Sequence, residues 1–256
     1  MKRTHCARTH SRVDDPAPDL QTPRAELASF PPGGVAVVVG ASGGIGAALV
    51  EALSGGSMFA AVIRLSRPAL ELHDEATIAA SAAQVAAQGA PRLIIDATGV
   101  LHAGALQPEK SWRHLDPVQL TEAFAINAIG PALLMKHYLP LLPIDGKSVF
   151  ATLSARVGSI SDNRLGGWYG YRASKAALNQ FVRTAAVELH RRQRQAMCVA
   201  LHPGTVETRL SSRFGKHGLD VQTPAVAAAR LLRVIDGLRP ADNGSFFDQH
   251  GVSIPW

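Results

Sequence analysis

Apolar residues in this chain follow two rhythms that take turns. Val35 to Val39 is a continuous β-branched run with one alanine inside, the mark of a strand buried on both faces. Gly43 to Leu53 then reads as a helix, Phe59 to Leu65 as the next strand, and Leu70 to Leu72 as a short one. Asp74 caps an alanine-rich helix that runs to about Gln88, and Arg92 to Ile95 forms a strand ending at Asp96. Asp116-Pro117 pairs a cap with proline at the first helical position and opens a long helix to Leu139. Val149 to Leu153 is a strand, Tyr169 to His190 a long helix, and Met197 to Leu201 another strand. Thr223-Pro224 repeats the cap-and-proline signature and opens a helix to Leu238, and Phe246-Phe247 sits in a last short strand.

Strand and helix alternate in this way without an internal repeat. Right-handed crossovers then predict a single α/β domain over residues 33–256. It is a doubly wound, Rossmann-type parallel sheet of about seven strands with helices on both faces. Residues 1–32 are polar and proline-studded (Pro16, Pro18, Pro23, Pro31, Pro32), and they read as a disordered N-terminal extension.

Composition narrows the class. The chain has 256 residues, 46% of them hydrophobic, which is ample for a core of one large domain. Its net charge of +6 is spread along the chain. The densest basic spot, His190-Arg191-Arg192-Gln193-Arg194, ends a helix, where cations suit the dipole, and no aromatic residues interleave with it, so no nucleic-acid partner is expected. Leu27 to Val50 lacks charge and has the length of a membrane span, but its prolines and glycines would break a helix in lipid; no other stretch rivals it, and no membrane association is expected. Met1 to Arg12 lacks the apolar run of a secretory signal. Cys6 and Cys198 cannot make a disulfide framework, which points to a reducing, cytoplasmic setting. Ten histidines contribute no H-E-x-x-H or cysteine pairing, so no metal site is expected.

The chemistry starts behind the first strand, at Gly40-Ala41-Ser42-Gly43-Gly44-Ile45-Gly46. A turn this tight needs residues without Cβ where the backbone approaches a pyrophosphate, and the helix behind it offers free N–H groups. Further on, Tyr171-Arg172-Ala173-Ser174-Lys175 puts a phenol and an ammonium on one helix face. An ordinary tyrosine, with a pKa of about 10, is a sluggish acid–base at neutral pH, and a nearby cation pulls it toward working range. Ser154 follows a strand at the carboxyl edge, where ligands bind in such sheets. Asn127 lies inside a helix, an awkward place for a short amide unless it bonds something. Pro203-Gly204-Thr205-Val206-Glu207-Thr208 follows the sixth strand at the same edge.

The glycine turn, Asn127, Ser154, Tyr171-x3-Lys175 and Pro203-Gly204, in this order, resemble the short-chain dehydrogenase/reductase family over residues 33–256. Ser154-Ala155-Arg156-Val157-Gly158-Ser159 with Gly166-Gly167-Trp168-Tyr169 resembles its C-factor (cell–cell signalling) branch, near the sniffer-type carbonyl reductases. The resemblance implies that Tyr171 is the general acid in carbonyl reduction and the base in alcohol oxidation. Lys175 would lower the Tyr171 pKa and hold the nicotinamide ribose, Ser154 would hydrogen-bond the substrate oxygen, and Asn127 would fix a water that passes protons to Lys175. Residues Thr205 to Thr208, with Val206 and Thr208 among them, would meet the nicotinamide carboxamide. Gly40, Ser42, Gly44, Ile45 and Gly46 would hold the pyrophosphate side, and Ala97, Thr98 and Gly99 the adenosine side.

There are departures. The family's Asn-Asn-Ala-Gly is Asp96-Ala97-Thr98-Gly99 here, and Glu71 stands where an aspartate often meets the adenine amine. The gap from Ser154 to Tyr171 is long, and the extra loop, Ser161 to Trp168, is expected to overhang the site. After the second strand the chain reads Ile63-Arg64-Leu65-Ser66-Arg67-Pro68, with no acid until Glu71, so Arg67 with Ser66 or Ser42 is expected to grip a 2′-phosphate. The expectation is an NADP-preferring oxidoreductase of carbonyl or alcohol substrates, with NAD the lesser cofactor. Its alternative is a cofactor-binding signalling or regulatory protein of the C-factor type with little or no turnover. The helix Tyr171–Leu189 is apolar almost all round, which predicts one face on the sheet and, as in the resembled family, another on a partner subunit of a homodimer or homotetramer.

Overall fold

The computed structural model describes residues 26–104, 106–210 and 220–256. The strands are β1 (Val35–Val39), β2 (Ala61–Leu65), β3 (Pro91–Asp96), β4 (Ser148–Leu153), β5 (Ala196–His202), β6 (Thr205–Val206), β7 (Val221–Gln222) and β8 (Phe246–Asp248). The helices are α1 (Gly44–Ser54), α2 (Glu75–Gln88), α3 (Pro117–Phe124), α4 (Gly130–Tyr138), α5 (Tyr169–Arg192) and α6 (Pro224–Gly237).

Six strands form one parallel sheet in the order β2-β1-β3-β4-β5-β8. The chain enters in the interior at β1, steps out to β2, then crosses back to place β3 on the other side of β1. The reversal leaves a crevice at the carboxyl ends of β1 and β3, the place where such sheets bind ligands. Side-chain alternation sorts the core into two layers. Val35, Val37, Val39, Ile94 and Phe150 face α2, α4 and α5, whereas Ala36, Val38, Leu93, Ile95 and Val149 face α1 and α6. β1, β3 and β4 are buried along their whole length, as continuous apolar runs in a parallel sheet require.

Two of the sequence expectations about the fold are corrected. Leu70 to Leu72 is not a strand, so the main sheet has six strands rather than about seven. Residues 66–74 are a short connection from β2 to α2 in which Leu70 drops into the core and Leu72 packs on Gly130. The long helix expected from Pro117 is present and continuous to Leu141, with a π turn at Ala125–Ile129 that carries Asn127. Residues 27–30 are not an unfolded arm. Leu27 and Phe30 are each 3% exposed within the α1–α6 layer, and Phe30 meets Phe59 edge-on at 5.6 Å. The Lys147 ammonium donates to Ser29 Oγ and to the carbonyls of Ile235, Asp236 and Leu238, which closes the end of α6 over this segment. The expected extension over residues 1–25 lies outside the described residues. Pro117–Leu141 also has the length and composition of a membrane span, although Leu27–Val50 had looked unrivalled; here its Leu134, Met135 and Tyr138 fill the core.

Candidate active site

The glycine turn joins β1 to α1 at the crevice. The N–H groups of Gly40 and Ala41 both donate to Leu65 O, which pins the turn to the end of β2. Gly40 has φ of +80°, and a Cβ there would lie 3.0 Å from the Ala97 carbonyl. A Cβ on Gly46 would lie 2.2 Å from Gly40 O, so the helix can approach the turn only with glycine at this position. Helix α1 has no side-chain cap and no acid in its first turn, and its first bond runs from Ala47 N–H to Gly43 O. The N–H groups of Gly44, Ile45 and Gly46 precede that bond, so they have no intrahelical acceptor and can serve as donors for an anion. Exposed Ser42 flanks them.

The residues expected around the turn fall in different places. Ser66 and exposed Arg67 directly follow the pinned Leu65, and the Arg67 guanidinium has no acidic partner among the described residues. The Glu71 backbone braces the start of α2, its N–H donating to Thr77 Oγ1 and its carbonyl accepting from the same hydroxyl. Ala97 N–H donates to Val39 O, which carries the chain past the turn. Asp96, fully buried, accepts from Thr98 N–H and Oγ1 on one oxygen and from Thr152 Oγ1 on the other. The departure from the family's asparagine thus has a physical reason: an acceptor-only side chain faces three donors.

Beyond them, a Cβ on Gly99 would lie 3.4 Å from Asn127 Oδ1 and 3.5 Å from Lys175 Nζ. Pro203 O accepts from Gln222 Nε2, and β6 pairs with β7. The segment then returns to the turn, where Thr208 Cγ2 lies 2.8 Å from the Cβ that Gly44 lacks. Gly40, Gly44, Gly46, Ala97, Gly99, Asn127, Lys175 and Thr208 therefore share one crevice.

Helix α5 supplies the reactive side. Its N-cap residue Trp168 adopts a left-handed conformation and offers no side-chain cap. Glu109 takes that role from a distant loop: its carboxylate accepts the Gly170 N–H at 3.0 and 3.2 Å, and its carbonyl accepts the Trp168 N–H. Trp168 lies edge-on to the Tyr171 ring at 6.3 Å. The expected overhanging loop leads up to it, and its Ser161 N–H and Oγ hold the Trp256 carbonyl.

Tyr171, Lys175 and Asn179 form one stripe at helical spacing on α5. The Lys175 ammonium is buried and donates to Leu153 O at 2.8 Å. Burial brings its pKa down to about 8, against the opposing pull of Asp96. Ser154, the next residue after Leu153, donates from Oγ to Asn179 Oδ1 at 2.7 Å. Asn127 Oδ1 accepts from Val100 N–H, and its Nδ2 donates to Val100 O and Ser174 Oγ. Burial pushes the Tyr171 phenol up to about 12. The lowering expected from Lys175 is thus not what dominates here, and the phenol is protonated at neutral pH.

Sequence reasoning missed Asn179 and Glu109. An amide four residues past Lys175, on a stripe that otherwise faces the sheet, was a readable signal for Asn179. Nothing in Pro108-Glu109-Lys110 announced a cap for a helix that begins 60 residues later.

Comparison with known proteins bears on this site. The family model described as enoyl-(acyl carrier protein) reductase matches residues 40–236. C-signal of Myxococcus xanthus is 40% identical over 143 residues, covering 56% of this chain and 81% of that protein. The 1-hydroxy-2-glutathionyl-2-methyl-3-butene dehydrogenase of Rhodococcus sp. (strain AD45) is 31% identical over 190 residues, 74% of this chain and 79% of that protein. Among solved structures, NADPH-bound carbonyl reductase from chicken fatty liver superposes with a TM-score of 0.78 at 26% identity, covering 91% of this chain and 98% of that one.

Proposed function

Because the chain belongs to the short-chain dehydrogenase/reductase family of oxidoreductases, among the relatives of C-signal, we propose that it is an NADP-preferring enzyme that interconverts carbonyl and alcohol substrates. The observation that carries the proposal is that Tyr171, Lys175 and Ser154 lie at the same sheet edge as a helix N-terminus whose donors have no partner among the described residues. A bound nicotinamide dinucleotide supplies the hydride.

The N–H groups of Gly44, Ile45 and Gly46 hold the pyrophosphate, with Ser42 at their edge. Arg67 and Ser66 receive the 2′-phosphate, the group that separates NADP from NAD. Ala97, Thr98 and Gly99 border the adenosine side, and Pro203, Gly204, Thr205, Val206 and Thr208 border the nicotinamide. The Glu71 carboxylate, which the backbone bonds to Thr77 leave unoccupied, meets the adenine amine.

Tyr171, protonated at neutral pH, donates to the carbonyl oxygen as negative charge develops there. Lys175 holds the ribose hydroxyls and, with its pKa near 8, resupplies the proton. Asn127 is suited to fixing a water next to Lys175. Its side-chain hydrogens are spent on Val100 and Ser174, and its Oδ1 lies beside Lys175 Nζ across Gly99, where such a water would sit. Ser154 makes the second hydrogen bond to the substrate oxygen, a hydroxyl being able to donate or accept.

The 40% identity to C-signal favours a second reading, a cofactor-binding signalling protein with little turnover. One assay separates the two. Oxidation of NADPH and NADH is followed against a panel of aldehydes and ketones; the first reading requires turnover with NADPH preferred, and the second requires binding without turnover. We further propose a cytoplasmic homo-oligomer joined through α4 and α5, where Met135, Leu139, Phe181, Ala185 and Leu189 line an open groove of about 420 Å³.

A further inference from the structure

Ser154 and Asn179 are both almost completely buried, and their contact has a direction. An amide places either its oxygen or its NH2 toward a neighbour, and which one is decided by what lies on its other side. Here that other side is the Gly158 carbonyl, which can only accept and which lies 3.4 Å from Asn179 Nδ2. The carbonyl belongs to the 3-10 turn Arg156–Gly158, closed by Gly158 N–H to Ala155 O. That turn is pressed on α5 so closely that a Cβ on Gly158 would lie 2.8 Å from Lys175 Cβ. Flipping the amide would set two carbonyl oxygens against each other. Oδ1 therefore faces Ser154, and the hydroxyl must donate to it.

We infer that Asn179 is a positioning residue that commits the only Ser154 hydroxyl proton away from the reacting centre, so that Ser154 presents lone pairs to the substrate oxygen. The inference rests on the proposed placement of Ser154 at that oxygen. An alcohol meets such a site with every hydrogen bond in place: Tyr171 donates to the alcohol oxygen, the alcohol donates to Ser154, and Ser154 donates to Asn179. A carbonyl brings no proton of its own. To donate to it, Ser154 must first leave Asn179 Oδ1 without a partner. The site thereby discriminates in the ground state for alcohol over carbonyl. The discrimination is about fivefold, which corresponds to about 1 kcal/mol, the net worth of a neutral hydrogen bond.

Two measurements test this. Neutron diffraction from the deuterium-exchanged protein reads the hydroxyl directly and needs no turnover; the expected Ser154 deuteron lies toward Asn179 Oδ1, and density toward Tyr171 overturns the inference. Kinetics supply the second. Asn179→Leu removes the acceptor at similar volume and should lower KM for a carbonyl about fivefold while kcat moves by less than about twofold, the signature of a change in ground-state binding. Asn179→Asp keeps an acceptor for Ser154, and a stronger one, while setting its second oxygen against the Gly158 carbonyl, and should raise that KM. A purely structural role would impair both variants alike, and parallel changes overturn the inference. Absence of wild-type turnover on every carbonyl would instead overturn the functional reading, with the neutron density still deciding how Ser154 points.

Discussion

The two halves of the crevice are built by opposite means. Around the turn from β1 to α1 the chain works by leaving side chains out: the Gly40 carbonyl oxygen lies 2.2 Å from where a Gly46 Cβ would sit, and the pyrophosphate donors of Gly44, Ile45 and Gly46 are backbone N–H groups. At the junction of β4 and α5 it works by packing polar side chains together. There Ser154, Asn179, Lys175, Asn127 and Asp96 are buried, and each has a named partner. The contrast follows from the tasks. A pyrophosphate is recognised by a row of N–H groups that any substituent would block. Proton transfer needs one group of the right pKa in one orientation, which only neighbouring side chains can enforce. Damage to the first half should therefore be steric and general, and damage to the second chemical and selective.

Gly46→Ala gives the largest expected effect. Its methyl group would collide with the Gly40 carbonyl, so the turn must open and saturable binding of NADPH should be lost, as followed by cofactor fluorescence. Retained affinity would show that the turn is not held by this close approach.

Arg67→Ala comes next. It should weaken NADPH by about 1.5–3 kcal/mol, the worth of a charge-assisted hydrogen bond, with NADH nearly unaffected. Equal losses for both cofactors would remove Arg67 from the phosphate side and blur the division between the halves.

The smallest effect concerns the start of α5. Glu109→Ala leaves the buried Gly170 N–H without its acceptor and should cost about 1–3 kcal/mol of stability in denaturant unfolding. Glu109→Gln retains an acceptor and should restore most of that loss. If both variants unfold like the wild type, α5 does not depend on the distant loop.

The turn half was legible in the sequence because glycine spacing constrains the backbone directly and locally. So was the pairing of Tyr171 with Lys175, since helical spacing alone puts them on one face. Asn127 drew attention as an amide inside a helix, and Pro131, a helix-interior proline four residues on, was a local signal of the π turn beside it that went unread. Leu70 and Leu72 looked like a strand because two apolar residues in a short loop also satisfy strand alternation. Leu27 and Phe30 were hidden for the opposite reason: two apolar side chains in a polar, proline-rich segment make no periodicity, yet they suffice to dock when Phe59 and Lys147 are waiting. Glu109 acts across 60 residues of sequence, and a pattern read along the chain does not reach it, whereas Asn179 lay on the Tyr171–Lys175 stripe and could have been read there.

The central claim is that binding and chemistry are separable, with Tyr171 belonging wholly to the chemistry. Tyr171→Phe removes the transferable proton and keeps the ring, so turnover and NADPH affinity should be measured on the same preparation, with a carbonyl that the wild type reduces. The account predicts a fall in kcat of roughly 10²–10⁴-fold with the NADPH Kd within about twofold of the wild type. A variant that keeps more than about a tenth of the activity, or one that loses affinity in step with turnover, would contradict it.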